Sequence, residues 1–357
     1  MCDPQSEIVL KARKLDTRLV TISMKRRVDL IFSWRIWRFC RRNKIDLVKT
    51  YSSKDHWLAL PLFLTGILVS RARCITDPIE GKSRAFIFKY GCSNIVVDAA
   101  VIKKQLVENN GIPAAKIEVI GSAVDLAKFK PDDNGMKFRQ EMGFSPDTPV
   151  IVNIGMIRSD KGQKRLAKAA AIVLKEWPDA RFIIVGQGTG NRLRERELAD
   201  AIQKSGLRDK IIMLGYRWDT PDILAAANMV VIASFCTEAS PIVLREAFAT
   251  GRAVVATSIG DIPEIIRDGE NGLMVEPKNI EAMAQAILRF LNDGSLLSRC
   301  GANALNYARA HFGFDQMMQA KVDVDLALIR RRRSSRPGGI DRVDELTKPS
   351  EIAPIRR

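Results

Sequence analysis

The stretch Thr237-Glu238-Ala239-Ser240-Pro241-Ile242-Val243-Leu244-Arg245-Glu246-Ala247-Phe248 concentrates more usable chemistry than any other part of the chain. It follows the apolar, β-branched run from Met229 to Ser234, so a strand ends and a helix begins there. The amides of Ile242, Val243 and Leu244 at that helix start have no intrahelical carbonyl to bond. With the positive end of the helix dipole, they suit a diphosphate. Glu238 lies on the entering loop and Glu246 in the helix body, so two carboxylates can reach opposite ends of one ligand. The same residues also fit a plain strand–turn–helix, with Ser240 as the cap and Glu246 as an exposed helical glutamate.

Elements on both sides must position these groups. From Pro149 onward, short β-branched runs alternate with helical periods, the pattern of parallel strands joined by crossover helices. Strands are expected at Val150 to Ile154, Phe182 to Val185, Ile211 to Leu214, Met229 to Ile232, Ala253 to Thr257 and Gly272 to Val275. Ile280, Met283, Ala284, Ile287, Leu288 and Leu291 form one apolar face at helical spacing. The first 125 residues alternate likewise, with strands expected at Arg18 to Ile22, Ile45 to Thr50, Ile67 to Arg73, Asn94 to Val97 and Ile117 to Ile120. A boundary between the halves falls near Val124 to Lys130, before the turn cluster Pro131 to Gly135. Two such α/β domains in series would enclose a cleft between their strand ends.

The chain has 357 residues, with 46% hydrophobic and 27% charged, enough apolar material for two cores. Its six cysteines show no close pair or His–Cys cluster, so neither a zinc site nor a disulfide framework is expected. Met1 to Lys14 lacks the apolar core of a secretory leader, and Trp57 to Ser70, interrupted by Pro61 and Gly66, is shorter than a membrane span. A cytoplasmic location follows as the expectation, with any membrane contact peripheral. The net charge is +16. Residues 1–125 hold about +10 of it and residues 330–357 about +5, which calls for an anionic partner. Basic and aromatic residues interleave from Lys25 to Arg42, and as a helix this segment groups Leu30, Trp34, Trp37 and Arg41. That arrangement suits an anionic membrane surface, or a helix that packs inward with a solvated basic face.

In these residues the chain resembles the retaining glycosyltransferases of family 4. The likeness rests on Glu238 and Glu246 with seven residues between them, then Gly251 to Thr257, Gly260-Asp261-Ile262-Pro263-Glu264 and Asp268-Gly269-Glu270-Asn271-Gly272. Upstream it continues through Gly155 to Gly162, Val185-Gly186-Gln187-Gly188, Leu214-Gly215 and Ile120-Gly121-Ser122-Ala123-Val124-Asp125. What it implies is the α/β GT-B fold, two doubly wound parallel-sheet, Rossmann-like domains facing a cleft. The chain then divides into an acceptor-side domain (1–125), a donor domain (126–312), a terminal helix (313–329) and a basic tail (330–357) that composition marks as disordered.

The resemblance also implies roles. Glu238 would steady the transferred sugar, and Lys161 and Arg158 would meet the donor diphosphate. Glu246 would hold the ribose, while Ser240, Pro241, Ile242, Val243 and Leu244, with Gly155, Gly186, Gly215 and Tyr216, would complete the donor site. Glycosyl transfer develops positive charge on the sugar and negative charge on the leaving diphosphate, and cations with helix amides can meet the latter, so no metal or other cofactor is expected. The implied function is transfer of a sugar, with retention of configuration, from a nucleotide sugar to a lipid-linked, lipopolysaccharide or other envelope glycan at the inner membrane face.

The chain departs from the family in two ways. Relatives carry histidines where this sequence has Lys49, Tyr51 and Cys74, and Arg158 is shifted from the position after Gly155 that Met156 occupies. Cys74 also reads as a small buried apolar residue, and His56 and His311 as structural or exposed. About 120 residues precede the interdomain segment where the family has some 50 more, so the opening strand and its glycine-rich loop are expected to be missing. Either the true start lies upstream of Met1 or the copy is degraded. A weakly active or inactive protein that binds nucleotide sugar or membrane is the alternative. No nucleic-acid partner is expected, since the chain has no recognisable module for one.

Overall fold

The computed structural model describes residues 30–334 apart from 77, 133, 189, 191 and 237. The expected strand from Arg18 to Ile22 and the chain beyond Ser334 lie outside the described residues.

The first half opens with α1 (Leu30–Arg42), then β1 (Leu47–Thr50), α2 (Ser53–Leu64), β2 (Leu68–Arg73), α3 (Lys82–Tyr90), β3 (Asn94–Val97), α4 (Ala100–Asn110) and β4 (Ile117–Val119). The four strands are parallel and lie in sequential order, so this half winds in one direction. Val69, Ile95, Val97 and Ile117 pack from the strands against Ala59, Leu62, Phe88, Ile102 and Leu106 of the helices. Ser52 and Asp55 form a reciprocal capping box at the start of α2, which satisfies two orphan amides.

The second half runs α5 (Asn134–Glu141), β5 (Val150–Ile154), α6 (Gln163–Glu176), β6 (Arg181–Val185), α7 (Leu193–Lys204), β7 (Ile211–Gly215), α8 (Thr220–Ala226), β8 (Met229–Ile232), α9 (Ile242–Ala249), β9 (Ala253–Thr257), α10 (Ile262–Ile265), β10 (Leu273–Val275), α11 (Ile280–Asn292), α12 (Gly294–His311) and α13 (Phe314–Ser334). Its six parallel strands order as β10-β9-β8-β5-β6-β7. The winding reverses between β5 and β8, and the crevice outside those strand ends is where open α/β sheets hold ligands. The inner strands β5, β6, β8 and β9 are buried on both faces, which is why they read as β-branched apolar runs, while the edge strand β7 is only partly buried. On α11, Met283, Ala284, Ile287, Leu288 and Phe290 are buried, each large side chain contributing about 1.5–3 kcal/mol.

Val124 N–H donates to Phe312 O (3.0 Å), tying the segment after β4 to the end of α12. From there α13 crosses back to the first sheet, where Lys49 Nζ meets Asp325 Oδ2 at 2.6 Å. This helix corrects the expected tail boundary: it continues through Arg330 to Arg333 as far as Ser334, the last described residue. Arginine is a good helix former and cations favour a helix C-terminus; in addition, Arg333 docks on Asp46 (3.3 Å). No helix among the described residues is long and apolar enough to cross a membrane.

Candidate functional site

A cleft of about 1200 Å³ opens at the β5/β8 crossover. The ends of β5 and β8 supply Asn153, Ile154 and Gly155, and Ile232 and Ser234. Gly186, Gln187 and Gly188 follow β6, while Tyr216, Arg217 and Trp218 follow β7. Cys74 lines the cleft from the first sheet, and Lys128 and Phe129 from the segment joining the halves.

Glu238 and Lys161 meet at its floor. Lys161 Nζ lies 2.5 Å from Glu238 Oε2, and Ser234 Oγ donates to the same oxygen at 2.7 Å. The Glu238 side chain is only 8% exposed and that of Lys161 22%. The backbone around them is clamped. Asp261 N–H donates to Ala239 O (3.0 Å) and Phe235 N–H to Asp160 O (2.9 Å). Gly260, at φ 64°, passes so close to Glu238 O that a Cβ would collide with it. Gly162 (φ 72°) likewise leaves no room for a Cβ against Ala233 O, which brings the Lys161 loop down onto the end of β8.

Pro241 stands at the N-cap of α9 with extended φ/ψ, so Ser240 does not cap the helix. Arg245 is buried in an ion pair with Asp261 (2.7 Å), and its other arm donates to Pro241 O (3.4 Å), which fixes the helix start. Leu244 N–H is already spent on Pro241 O (3.1 Å), so the expected trio of amides reduces to Ile242 and Val243. One turn on, Glu246 is half-buried and lines the cleft. Burial pushes its carboxyl pKa up, with the Lys128 ammonium opposing the shift.

Of the other expected residues, Gly155, Gly186, Ser240, Pro241, Val243 and Tyr216 all line the cleft. Gly215 stands behind it, accepting from Gly186 N–H at 2.7 Å. Arg158 is not brought in. Its guanidinium grips Asp160 on its own loop through two bonds, 2.9 and 2.7 Å, and the residue is absent from the cleft wall. Besides Lys161, the cationic lining comes from Lys128 and Arg192, and from Arg217, itself paired with Asp219 and Glu141; no motif marked these three. Asn153 and Gln163 also face the cleft. Ser234 and Asn153 could have been found from the sequence, because both sit at the C-terminal ends of strands flanking the order reversal.

On the far wall, the Cys74 thiol sits beside Asp98. Cys74 is exposed in the cleft and is not the small buried apolar residue expected. Partial desolvation against the cleft wall first, and then the Asp98 carboxylate, push its pKa up to about 11. His56 is buried edge-on against Phe88, and burial with the Arg71 cation holds its pKa down to about 3, a structural role. His311 is exposed and stacks on Tyr307. Among the described residues no group of three or more His, Cys, Asp or Glu side chains is arranged to hold a metal.

Residues 136–307 match the family model described as glycosyl transferases group 1. Over 232 residues the chain is 29% identical to the lipopolysaccharide core biosynthesis mannosyltransferase LpsB of Rhizobium meliloti (strain 1021), covering 63% of this chain and 66% of that one. The chain spans about half to two thirds of the length of the curated relatives it matches. In solved structures, the fold is that of a glycosyltransferase from Rickettsia africae ESF-5, with a TM-score of 0.81 and 20% identity over 92% of this chain and 89% of the other. It is equally that of Anabaena Alr3699/HepE in complex with UDP-glucose, with a TM-score of 0.78 and 20% identity over 90% and 89% of the two chains.

Proposed function

We propose that this chain, whose residues 136–307 match the family model of the glycosyl transferases group 1, moves a sugar from a nucleotide-diphosphate sugar to an envelope glycan acceptor with retention of configuration. The observation that carries the reading is the Lys161–Glu238 pair at the cleft floor, within reach of the α9 start. In the reaction, the bond from the anomeric carbon to the diphosphate breaks as the acceptor oxygen bonds to that carbon from the same face. The departing phosphate oxygen takes the acceptor proton, so atoms and charge balance without a protein base. Lys161 and the amides of Ile242 and Val243 meet the negative charge on the leaving group. The Glu238 carboxylate faces the positive charge growing on the sugar ring. Glu246, its pKa raised by burial, accepts from the ribose hydroxyls, which return the hydrogen bonds its carboxylate lost on leaving water. With cations and amides in place, the leaving group is neutralised without a metal.

The lipopolysaccharide role named for the Rhizobium protein supports a lipid-linked or lipopolysaccharide acceptor, which would place the enzyme at the inner face of the cytoplasmic membrane. The UDP-glucose recorded with the Anabaena protein supports a nucleotide sugar as the donor class. A second reading, donor binding with little turnover, draws on Arg158 being held by Asp160 and on a neutral thiol at Cys74.

Calorimetric titration with UDP-, GDP-, ADP- and CMP-linked sugars separates these readings. The proposal expects saturable binding to one nucleotide class, weakened by both Lys161→Ala and Glu246→Ala, with release of the free nucleotide when acceptor is supplied. Binding without release supports the second reading. No binding to the folded chain overturns the donor site.

A further inference from the structure

The first sheet has two unlike faces. Its strands wind in one direction, so their crossover helices lie on one side, over Val48, Val69, Ile95 and Val97. Successive residues alternate between faces, and register sets Lys49 opposite Ser70 and Ala72 opposite Val96. These polar or small side chains form the other face, which Cys74 and Asp98 continue just past the ends of β2 and β3.

Helix α13 crosses that face and is held there by Asp325 on Lys49 (2.6 Å), yet none of its residues is fully buried. Ser70 and Ala72 are too short to fill the gap beneath it. A chamber of about 70 Å³ remains, with Lys49, Ser70, Ala72, Cys74, Asp98 and Lys321 in its wall. Cys74 also lines the main cleft, so the chamber is a side arm of that cleft on the wall away from Lys161 and α9. Its space is that of about two water molecules, enough for one substituent and too small for a sugar ring.

The polar groups of the chamber are short of partners. Asp98 Oδ1 is buried and bonds to nothing among the described residues, although the Cys74 thiol lies beside the carboxyl. Lys321 has no hydrogen-bond or ion-pair partner among the described residues. Lys49 spends one of its three N–H donors on Asp325 and keeps two. Asp98 stands at the cleft end, whereas Lys49 lies deeper along the strands, level with Ser70. A fitting ligand brings a hydrogen-bond donor to the mouth and negative charge inward.

We propose that this chamber is the acceptor subsite for an anionic substituent, a phosphate or a carboxylate, on a sugar whose ring stays in the cleft and whose hydroxyl donates to Asp98 Oδ1. Lys49 and Lys321 meet the anion with charge-assisted hydrogen bonds. The same ammonium groups repel an amine, and an apolar group would strip water from them without return. Of the two acids nearby, Asp325 is neutralised by Lys49, and burial pushes the Asp98 pKa up, which lessens its opposition to an anion. The donor diphosphate has Lys161 and the α9 amides on the other wall, which leaves the chamber to the acceptor. Calling the ligand the acceptor rests on the glycosyl-transfer reading above; the binding of an anionic sugar does not.

The test is calorimetric titration of the full chain, at low salt, with glucose, glucose 6-phosphate, glucuronate and inorganic phosphate. Glucose 6-phosphate or glucuronate should bind at least about tenfold more tightly than glucose, and the tighter of the two tells phosphate from carboxylate. Lys321→Ala should remove most of that advantage and Lys321→Arg keep it. Asp98→Ala should weaken the anionic sugars about tenfold and leave inorganic phosphate no weaker, because only the sugars bring a hydroxyl to Oδ1. Occupancy should also slow alkylation of Cys74 by iodoacetamide, with the exposed Cys236 as the unprotected reference in the same chain. Equal binding of glucose and the anionic sugars, no binding of either anionic sugar, or binding that leaves Cys74 unprotected would overturn the assignment. So would a Lys321→Ala protein that loses nucleotide-sugar affinity by the same factor, since the chamber would then belong to the donor. Circular dichroism melting shows that the variants fold. A chain that binds nucleotide sugar and no anionic sugar sinks the subsite and leaves the transfer reading standing; one that binds anionic sugars and no nucleotide sugar keeps the anion site and sinks the transfer reading, its acceptor label included.

Discussion

Replacing Lys161 by alanine separates a catalytic cation from a merely structural one, because the two roles predict losses in different quantities. The Glu238 carboxylate holds two contacts, Lys161 Nζ at 2.5 Å and Ser234 Oγ at 2.7 Å, so the substitution leaves a nearly buried charge with one neutral donor. Breaking a fully buried pair this way costs about 3–5 kcal/mol. Lys161 is partly exposed to the cleft, and water can take its place, which brings the expected loss down to about 1–2 kcal/mol. For a chain of this size that is about 1–3 °C in melting temperature. The rate should suffer more. Removing one preorganised partner of a developing negative charge costs roughly 10²–10³ in turnover, or about 2.7–4 kcal/mol. The assay is release of free nucleotide from saturating donor, with water as acceptor if none better is known, alongside a thermal melt. Glu238→Gln, which keeps shape and volume, should retain donor binding and lose turnover to a similar degree. A Lys161→Ala protein that melts early yet releases nucleotide within about tenfold of the parent rate would refute the role given to the pair.

Gly260→Ala forces a Cβ into Glu238 O at a left-handed φ, so the Glu238 loop must move; nucleotide release should fall more than about tenfold and the melt by a few degrees, read together. Arg245→Ala strands the buried Asp261 carboxylate and should cost about 3–5 kcal/mol in urea unfolding, whereas the double replacement Arg245→Met, Asp261→Leu should recover most of it. For Glu246 the sign is opposite to that of a salt-bridged acid. Its folded pKa lies above the unfolded one, so its share of stability is full below the unfolded pKa and is lost as pH rises through the folded value. Glu246→Gln should then melt higher than the parent at neutral pH, by about 2 °C per ~1 kcal/mol recovered, with the gap closing in acid, while nucleotide-sugar affinity drops. Donor affinity of the parent should itself fall as pH is lowered through the raised pKa, since a protonated Glu246 has lost acceptor capacity.

The strands β3, β5, β8 and β9 coincide residue for residue with their β-branched runs, because strands buried on both faces admit little else. The floor of the cleft was legible for a related reason: Glu238, Lys161 and the α9 start are set by short-range strand–loop–helix geometry. What escaped depended on groups meeting across loops. The spacing of Arg158 says nothing of Asp160, two residues on, capturing its guanidinium. Leu244 looked free because the carbonyl that takes its amide belongs to Pro241, outside the regular helix pattern. Arg192 and Lys128 reach the cleft from turns whose course only the packed domain decides. The arginines at 330–333 read as a tail by composition, yet a helix already docked on the first sheet carries them on to Asp46.

Cys74 decides what the acceptor side of the cleft contributes. Its ordinary value of 9.0 is raised to about 11, so at neutral pH the thiolate is about 100-fold scarcer than for an unperturbed thiol. A more basic thiolate is intrinsically more nucleophilic, which returns about tenfold in exchange with a disulfide reagent, so the net expectation is labelling about tenfold slower than in the urea-unfolded chain. Mass spectrometry resolves it from Cys236, which is also exposed. Asp98→Asn should recover part of the rate, since the carboxylate is the second cause of the shift and burial the first. A thiol held neutral beside an acid neither neutralises a phosphate nor accepts a proton. In the mechanism proposed above the acceptor proton leaves on the donor's own phosphate oxygen, on the face where Lys161 and α9 stand, and Cys74 has no part in it. Cys74→Ser should therefore leave transfer within a few-fold of the parent while Lys161→Ala does not, and a Cys74→Ser enzyme as slow as Lys161→Ala would place a catalytic group on the first sheet after all.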